Sequence, residues 1–364
     1  LDSSKDVYLK YLILKGNIQR ELGNAENAKI IYENVSKKAT QLNLSRIKYN
    51  VYNKLNSTLK ELKSKNIPFT YANYIDSIYL LAKKENNKNE IANSYVLYAY
   101  FYYFNQYNDS LFRHYDSLSV PLLKESNDSF YLYLRHNVVG TRLMNNNLLD
   151  SAEFHLKKSL NYIKINDNFT RIKNTCGVLM NLGFIEHARG KSTQALEYFK
   201  NGLELSLKYN INLFNLKFYV NIGHLFLELD KIDDARFYFT QSTKYANSIN
   251  DFLTEFQSLL PLIDLNINDN NTKNLVELGN KTEKISLENL KTHNAICNAY
   301  FYQSKIYNKL QNFNLAKDYL KKAIIYADSG VEKELTFTIL SYAIKFYSEN
   351  NELKNAPDNN KIKE

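Results

Sequence analysis

Small residues recur along this chain at a nearly fixed interval. Ala28, Ala72, Ser110, Ala152, Ala195, Ala235 and Ala316, with Leu275 standing in the seventh place, follow one another at spacings of 38–44 residues. Periods of this size belong to repeat arrays, in which each supersecondary unit buries its apolar face only against its neighbours. With 10 Gly and 4 Pro in 364 residues, turns are few and helices can run long. Around most of these marks one pattern returns: a Gly or Ser upstream, and a large residue four positions on.

The clearest unit is 176–209, with Leu182-Gly183, Gly190, Ala195 and Phe199. Unit 216–249 repeats it with Ile222-Gly223, Asp230, Ala235 and Phe239, and unit 133–166 with Val139-Gly140, Leu143, Asn147, Ala152 and Leu156. Unit 9–42 carries Gly16, Gly23, Ala28 and Tyr32, and unit 297–330 carries Tyr300, Ser304, Tyr307, Ala316, Leu320 and Ala323. These residues resemble the tetratricopeptide repeat family, in its long-period bacterial form, over essentially the whole chain. The small residue of the first helix lets the second approach closely, and the large one fills the groove between hairpins. The family's usual period is about 34 residues; the longer spacing here implies helices about one turn longer, at roughly 3.6 residues per turn.

The fold expected is all-α: a right-handed superhelical α-solenoid of about eight antiparallel helix hairpins plus a C-terminal capping helix. It is expected to fill 1–349 as one array, with units near 9–42, 53–86, 91–124, 133–166, 176–209, 216–249, 256–289 and 297–330. A cap at 331–348 would set Leu335, Ile339, Tyr342 and Phe346 inward and Glu334, Ser341, Lys345 and Ser348 outward, leaving 350–364 as a polar tail or linker. Three units depart from the pattern. Unit 53–86 has Lys60 in the small slot and turns at Asn66-Ile67-Pro68; unit 91–124 has Tyr98 there, and Pro121 should end or kink its second helix. The unit at 256–289 has Leu275 in the Ala slot and Pro261 inside its first helix.

Composition adds little that decides function. Basic residues outnumber acidic ones 47 to 38, a net charge of +9 spread along the chain. Lys37-Lys38, Lys157-Lys158 and Lys321-Lys322 fall in the second halves of helices, where they meet the dipole. The Asn, Lys, Ile and Tyr content is that of an AT-rich genome and receives no functional weight, and Asn-x-Ser/Thr triplets such as Asn34 and Asn168 are expected by chance. Cys176 and Cys297 lie three repeats apart, too far for a disulfide. No run of about 18 apolar residues spans a membrane. Residue 1 is Leu, so the chain is expected to be periplasmic if a signal peptide precedes it and cytoplasmic otherwise.

Catalytic chemistry finds no foothold. His293 and Cys297 are i,i+4 on one helix, yet nothing completes a zinc set, so no metal and no cofactor are expected. There is no Gly-rich phosphate loop and no nucleophile elbow, and Asp233-Asp234 sit where they cap a helix. The chain is therefore not expected to be an enzyme. The run Tyr95 to Tyr107 holds eight rings; they read either as a sticky groove or as a thick helix buried between neighbours.

By the resemblance, first helices line a concave groove that takes a protein or peptide. Carried onto this sequence, the groove positions are Tyr95, Tyr102, Asn137, Thr141, Met180, Phe184, His187, Lys217, His224, Glu228, Phe301, Lys305 and Asn308. Their Asn amides suit an extended backbone and their Lys a carboxylate. The function expected is a non-catalytic protein- or peptide-binding scaffold, in its sharper form the sensing region of a larger bacterial regulator. The alternative is a stand-alone peptide-responsive cytoplasmic regulator of the quorum-sensing phosphatase type. Those proteins carry a separate N-terminal bundle, and a pattern that begins by Leu9 argues against that layout. A nucleic-acid-binding helical repeat comes third, because acidic and basic positions alternate.

Overall fold

The computed structural model describes residues 3–21, 23–62, 70–126, 129–163, 169–328 and 331–350, and every regular element among them is helical. The helices come in consecutive pairs: α1 (Ser3–Glu21) and α2 (Ala25–Gln41), α3 (Ser45–Leu62) and α4 (Thr70–Lys84), α5 (Lys88–Gln106) and α6 (Asp109–Ser126), α7 (Ser129–Asn145) and α8 (Leu149–Tyr162). These belong to the first of two compact units, Leu1–Arg171. The second, Ile172–Glu364, holds most of α9 (Phe169–Ala188), followed by α10 (Ser192–Lys208), α11 (Asn212–Glu228), α12 (Ile232–Ser248), α13 (Phe252–Asn268) and α14 (Leu275–Lys284). Then come α15 (His293–Lys309), α16 (Phe313–Ala327) and α17 (Lys333–Glu349). The Asn66-Ile67-Pro68 turn and residues 351–364 of the expected tail lie outside the described residues.

Within the regular hairpins the packing rests on a residue with almost no side chain. Gly16 lies against Tyr32, Gly140 against Leu156, Gly183 against Phe199 and Gly223 against Phe239. A Cβ at Gly183 would fall 2.3 Å from the Phe199 ring, and one at Gly16 would fall 2.4 Å from that of Tyr32. Those large side chains are fully buried, as are Ala28, Ala152, Ala195 and Ala235 beside them. Gly202 does the same one step along, seating Phe218 of the next hairpin at 2.1 Å from where its Cβ would be.

The three irregular hairpins solve the same problem with other residues. Ser110 is exposed and Ala72 half-buried; the interior positions of α6 and α4 are Phe112 and Leu123, and Ile75, Ile78 and Ala82. In α14 the sizes are exchanged: Leu275 is buried in the small slot, and Gly279 four residues on leaves room for Gln303 and Ile306 of α15. Pro121 does not end its helix, which runs from Asp109 to Ser126, and Pro261 stands inside α13. The missing hydrogen bond costs about 3 kcal/mol in an isolated helix. Here Ser119 and Leu123, or Leu259 and Ile263, hold the flanking turns in the interior.

The turns show why asparagine is so common. Asn43, Asn86, Asn147, Asn210, Asn250 and Asn270 take positive φ of 52–59° just past a helix end, and Gly23 and Gly190 take 79° and 74° there. The next residue's N–H then reaches back to a carbonyl of the last turn: Leu44 to Ala39, Asn87 to Ala82, Lys191 to Glu186, Ile211 to Ser206. This is the Schellman closure, and Asn tolerates left-handed backbone better than other residues with a Cβ. The Asn content thus carries structural weight that composition alone does not reveal.

The thiols are inert parts of the core. Cys176 and Cys297 are buried, unpaired, and pushed up to about 12 by burial. Cys297 Sγ donates to the Ala323 carbonyl at 3.3 Å, while His293 lies exposed against the Tyr326 ring, so the two are not directed at a shared ligand. In the fourth hairpin His136 and His155 meet Nδ1 to Nδ1 at 3.0 Å. Burial, then His155, Arg135 and Lys158, push His136 down from 6.5 to about 4.

Two stability outcomes follow. Gly183→Ala should lower unfolding stability by about 1–3 kcal/mol through overpacking. Gly177→Ala on the same helix, with its nearest neighbour at 3.5 Å, should gain up to about 1 kcal/mol from helix propensity; urea melts of the two variants read the contrast. His136 is neutral when folded, so its contribution is complete above pH 6.5 and is lost as pH falls towards 4. Between pH 7.5 and 4.5 the wild type should therefore lose about 1–3 kcal/mol more than His136→Asn, by melts at both values.

Candidate functional site

First helices begin at residues 3, 45, 88, 129, 169, 212, 252, 293 and 333, that is, 40–43 residues apart. Side chains at equivalent positions of successive first helices therefore meet. In the first unit the Tyr131 hydroxyl donates to Glu90 at 2.7 Å, and Asn93 reaches Asn53 at 3.4 Å. In the second, His187 and Glu228 are 2.8 Å apart, Tyr302 donates to Asp264 at 2.8 Å, and Lys305 pairs with the same Asp264. These bridges tie one hairpin to the next at the polar face of the first helices.

In the first unit this face opens into a cavity of about 470 Å³ lined by α3, the α4–α5 turn, α5 and α7. Glu85 accepts from the Tyr49 hydroxyl at 2.9 Å and from Ser45. Burial and then the Glu85 carboxylate push the Tyr49 phenol above its ordinary range. Glu90 accepts from Tyr131 and, at 3.0 Å, from Asn93. Asn87 caps α5 by accepting from the Glu90 N–H. Arg46 and Asn50 are different: both are exposed at the rim, and neither has a partner among the described residues. The cavity thus offers anchored carboxylates on its wall and an unpaired guanidinium and amide at its mouth.

None of these residues was singled out from the sequence, because the irregular second unit supplied no groove positions from α3. The usable signal was the recurrence of polar residues one period apart, such as Asn53 with Asn93 and Glu90 with Tyr131.

The residues expected to line the groove divide into several fates. Met180 and Phe301 are buried, 6% and 5% exposed, and belong to the core, so they are not open to a partner. Tyr95 and Tyr102 join Tyr79, Tyr98 and Tyr115 in a cluster whose neighbouring ring centres lie 4.8–6.5 Å apart. Of the aromatic run only Tyr107 is exposed, at the α5–α6 turn; its other rings pack at least in part against neighbours. Asn137 reaches the Tyr133 hydroxyl at 3.5 Å, and the Thr141 hydroxyl donates to the Asn137 carbonyl. His187 with Glu228, and Lys305 with Asp264, are spent on the bridges between hairpins. His224 packs edge-on against Phe239, and Asn308 is half-buried. Phe184 and Lys217 are exposed, and the Lys217 amine has no partner among the described residues.

The sequence matches the tetratricopeptide repeat family over residues 9–37, 216–249 and 298–325. The chain carries tetratricopeptide repeats. Three solved structures share the fold of this repeat chain. The apo form of RapI superposes with a TM-score of 0.62 at 13% identity, over 96% of this chain and 85% of that one. Aspartyl phosphate phosphatase F from Bacillus subtilis gives 0.54 at 12% identity, over 98% and 92%. A signal-transduction ATPase with a tetratricopeptide repeat sensor, from Pyrococcus horikoshii, gives 0.56 at 13% identity over 93% of this chain, which spans 55% of that protein. No curated protein matches the sequence. A repeat pattern that begins by Leu9 therefore does not set this fold apart from that of a phosphatase-type protein.

The tetratricopeptide hairpins are all-α among the described residues, where no three His, Cys, Asp or Glu gather as for a metal ion. No described helix is long and apolar enough to cross a membrane. The bridge from Tyr131 to Glu90 should contribute to hairpin stacking. A double-mutant cycle of Tyr131→Phe and Glu90→Gln is expected to give a coupling of about 0.5–2 kcal/mol in unfolding free energy.

Proposed function

We propose that this chain is a protein-interaction scaffold that engages a peptide segment at the polar cavity of its first unit. The observation that carries this reading is the pair Arg46 and Asn50, exposed at the cavity mouth and without a partner among the described residues. A guanidinium matches a carboxylate in a bidentate fork, and a primary amide can give and take a hydrogen bond from an extended backbone. Glu85 and Glu90, held by Tyr49 and Tyr131, complement a peptide amine or a basic side chain. Tetratricopeptide hairpins are interaction scaffolds, and such a lining supports binding without implying a reaction.

A regulatory role accords with the neighbours. The Pyrococcus protein is named for a repeat sensor within a signal-transduction ATPase, and a sensing region is the corresponding reading here.

The test is a selection of peptides from a displayed random library on the intact chain. Selected peptides should lose at least tenfold in affinity on Arg46→Glu with Asn50→Ala, two exposed changes that leave the helical circular dichroism unaltered. Unchanged affinity would refute the cavity as the site. Loss on Phe184→Asp with Lys217→Glu instead would move binding to the second unit.

A further inference from the structure

Six histidines are spread along the chain, and two of them meet. His136 of α7 and His155 of α8 face each other inside the fourth hairpin, with their Nδ1 atoms 3.0 Å apart. The rings are held in place by their neighbours. The Tyr162 ring lies beside His136 with 5.6 Å between centres and 20° between planes, and the Phe154 ring meets His155 edge-on at 5.5 Å. His136 is 7% exposed, while His155 is half-buried and lies nearer solvent.

At neutral pH both rings are uncharged, because burial and then neighbouring charges push both imidazoles below their ordinary 6.5. One Nδ1 therefore carries a proton and the other a lone pair. Moving that proton to Nε2 of its own ring leaves two lone pairs converging on one point, with no change in charge. Neutral imidazole is the form that binds a metal ion. Bonds of about 2.0–2.1 Å to nitrogens 3.0 Å apart enclose an angle of about 90–100°. That is the angle between adjacent corners of a square, which suits copper(II) or nickel(II) better than the wider tetrahedral angle of zinc. Three charges stand nearby. Arg135 is spent on Asp116, in a two-pronged pair at 2.7 and 2.8 Å. The Lys158 amine lies 4.6 Å from the centre of the Phe154 ring and has no carboxylate partner among the described residues, so it opposes a bound cation.

We propose that His136 and His155 form a two-imidazole site for a late first-row divalent cation, copper(II) ahead of nickel(II) and zinc(II), with water in the remaining positions. Copper(II) leads because its affinity for a given nitrogen site exceeds that of its neighbours in the row. The ion joins α7 to α8, so its binding is coupled to the packing of the fourth hairpin. The site shares α7 with the polar cavity but none of the residues that line it, and it stands whether or not a peptide binds there.

The intact chain, stripped of metal with a chelator, is titrated with copper(II), zinc(II) and calcium(II) at pH 7.5. One copper(II) per chain should bind, zinc(II) more weakly and calcium(II) not at all. The electron paramagnetic resonance spectrum of the copper should carry the hyperfine lines of two imidazole nitrogens. His136→Asn and, separately, His155→Gln should each weaken binding at least tenfold; His155 is half-buried, so helical circular dichroism should not change in the second variant. Lys158→Glu, which removes the opposing charge, should tighten binding at least threefold, and His293→Gln should leave it unaltered. At pH 5.5 the affinity should stay within tenfold of its value at pH 7.5, whereas two imidazoles with the ordinary pKa of about 6.5 would lose about a hundredfold. Undiminished binding by His155→Gln, weaker binding by Lys158→Glu, or a spectrum without two nitrogens overturns the proposal. Copper that His293→Gln loses as fully, or that binds in several equivalents whatever stands at 136 and 155, is an adventitious ion only and equally refutes it.

Discussion

Two helices of a hairpin can approach only as far as their facing side chains allow, and the rest of this molecule depends on how that limit is met. In the regular hairpins the first helix offers Gly16, Gly140, Gly183 or Gly223, and the second sets Tyr32, Leu156, Phe199 or Phe239 against it. The large residue is fully buried in each case, so close approach and apolar burial are one event. A methyl group added to such a glycine would lie inside the van der Waals envelope of the ring. Where the glycine is missing the exchange still balances, as Leu275 and Gly279 show by swapping sizes within one helix.

Uniform hairpins make uniform offsets, and the offsets decide which polar groups meet. Turns closed by a left-handed Asn or Gly keep successive first helices in register, so residues about 41 apart become neighbours. Glu90 thereby finds Tyr131, Glu228 finds His187 and Asp264 finds Lys305. Most of these pairs are partly exposed, where one ion pair contributes little to stability. Their consequence is geometric: they occupy polar side chains that would otherwise face a ligand, and they leave Arg46, Asn50 and Lys217 among the described groups still able to take a partner. Function in such a scaffold lies in the side chains that the stacking does not use.

The fold was legible in the sequence because its cause is local. A small residue, an Ala and a large residue at fixed spacing can be read directly, and the irregular units were found by that interval even where Ser110 and Ala72 proved not to be interior. The site was far less legible. Met180 and Phe301 hold positions that face a groove in an idealised repeat, yet here they are buried, because helix rotation depends on the bulk of every neighbour. Likewise His187, Glu228 and Lys305 are consumed by pairs that form only once adjacent hairpins have stacked. The aromatic run resolves the same way, since most of its rings find one another across α4, α5 and α6.

What the sequence determined by itself is the repeat, its period and the all-helical architecture, since those follow from steric complementarity within about 40 residues of chain. Tertiary structure alone decided which polar residues are left over. Whether Arg46 is free or paired depends on side chains brought from α3, the α4–α5 turn, α5 and α7. Those are properties of neighbours in space, and no local spacing encodes them.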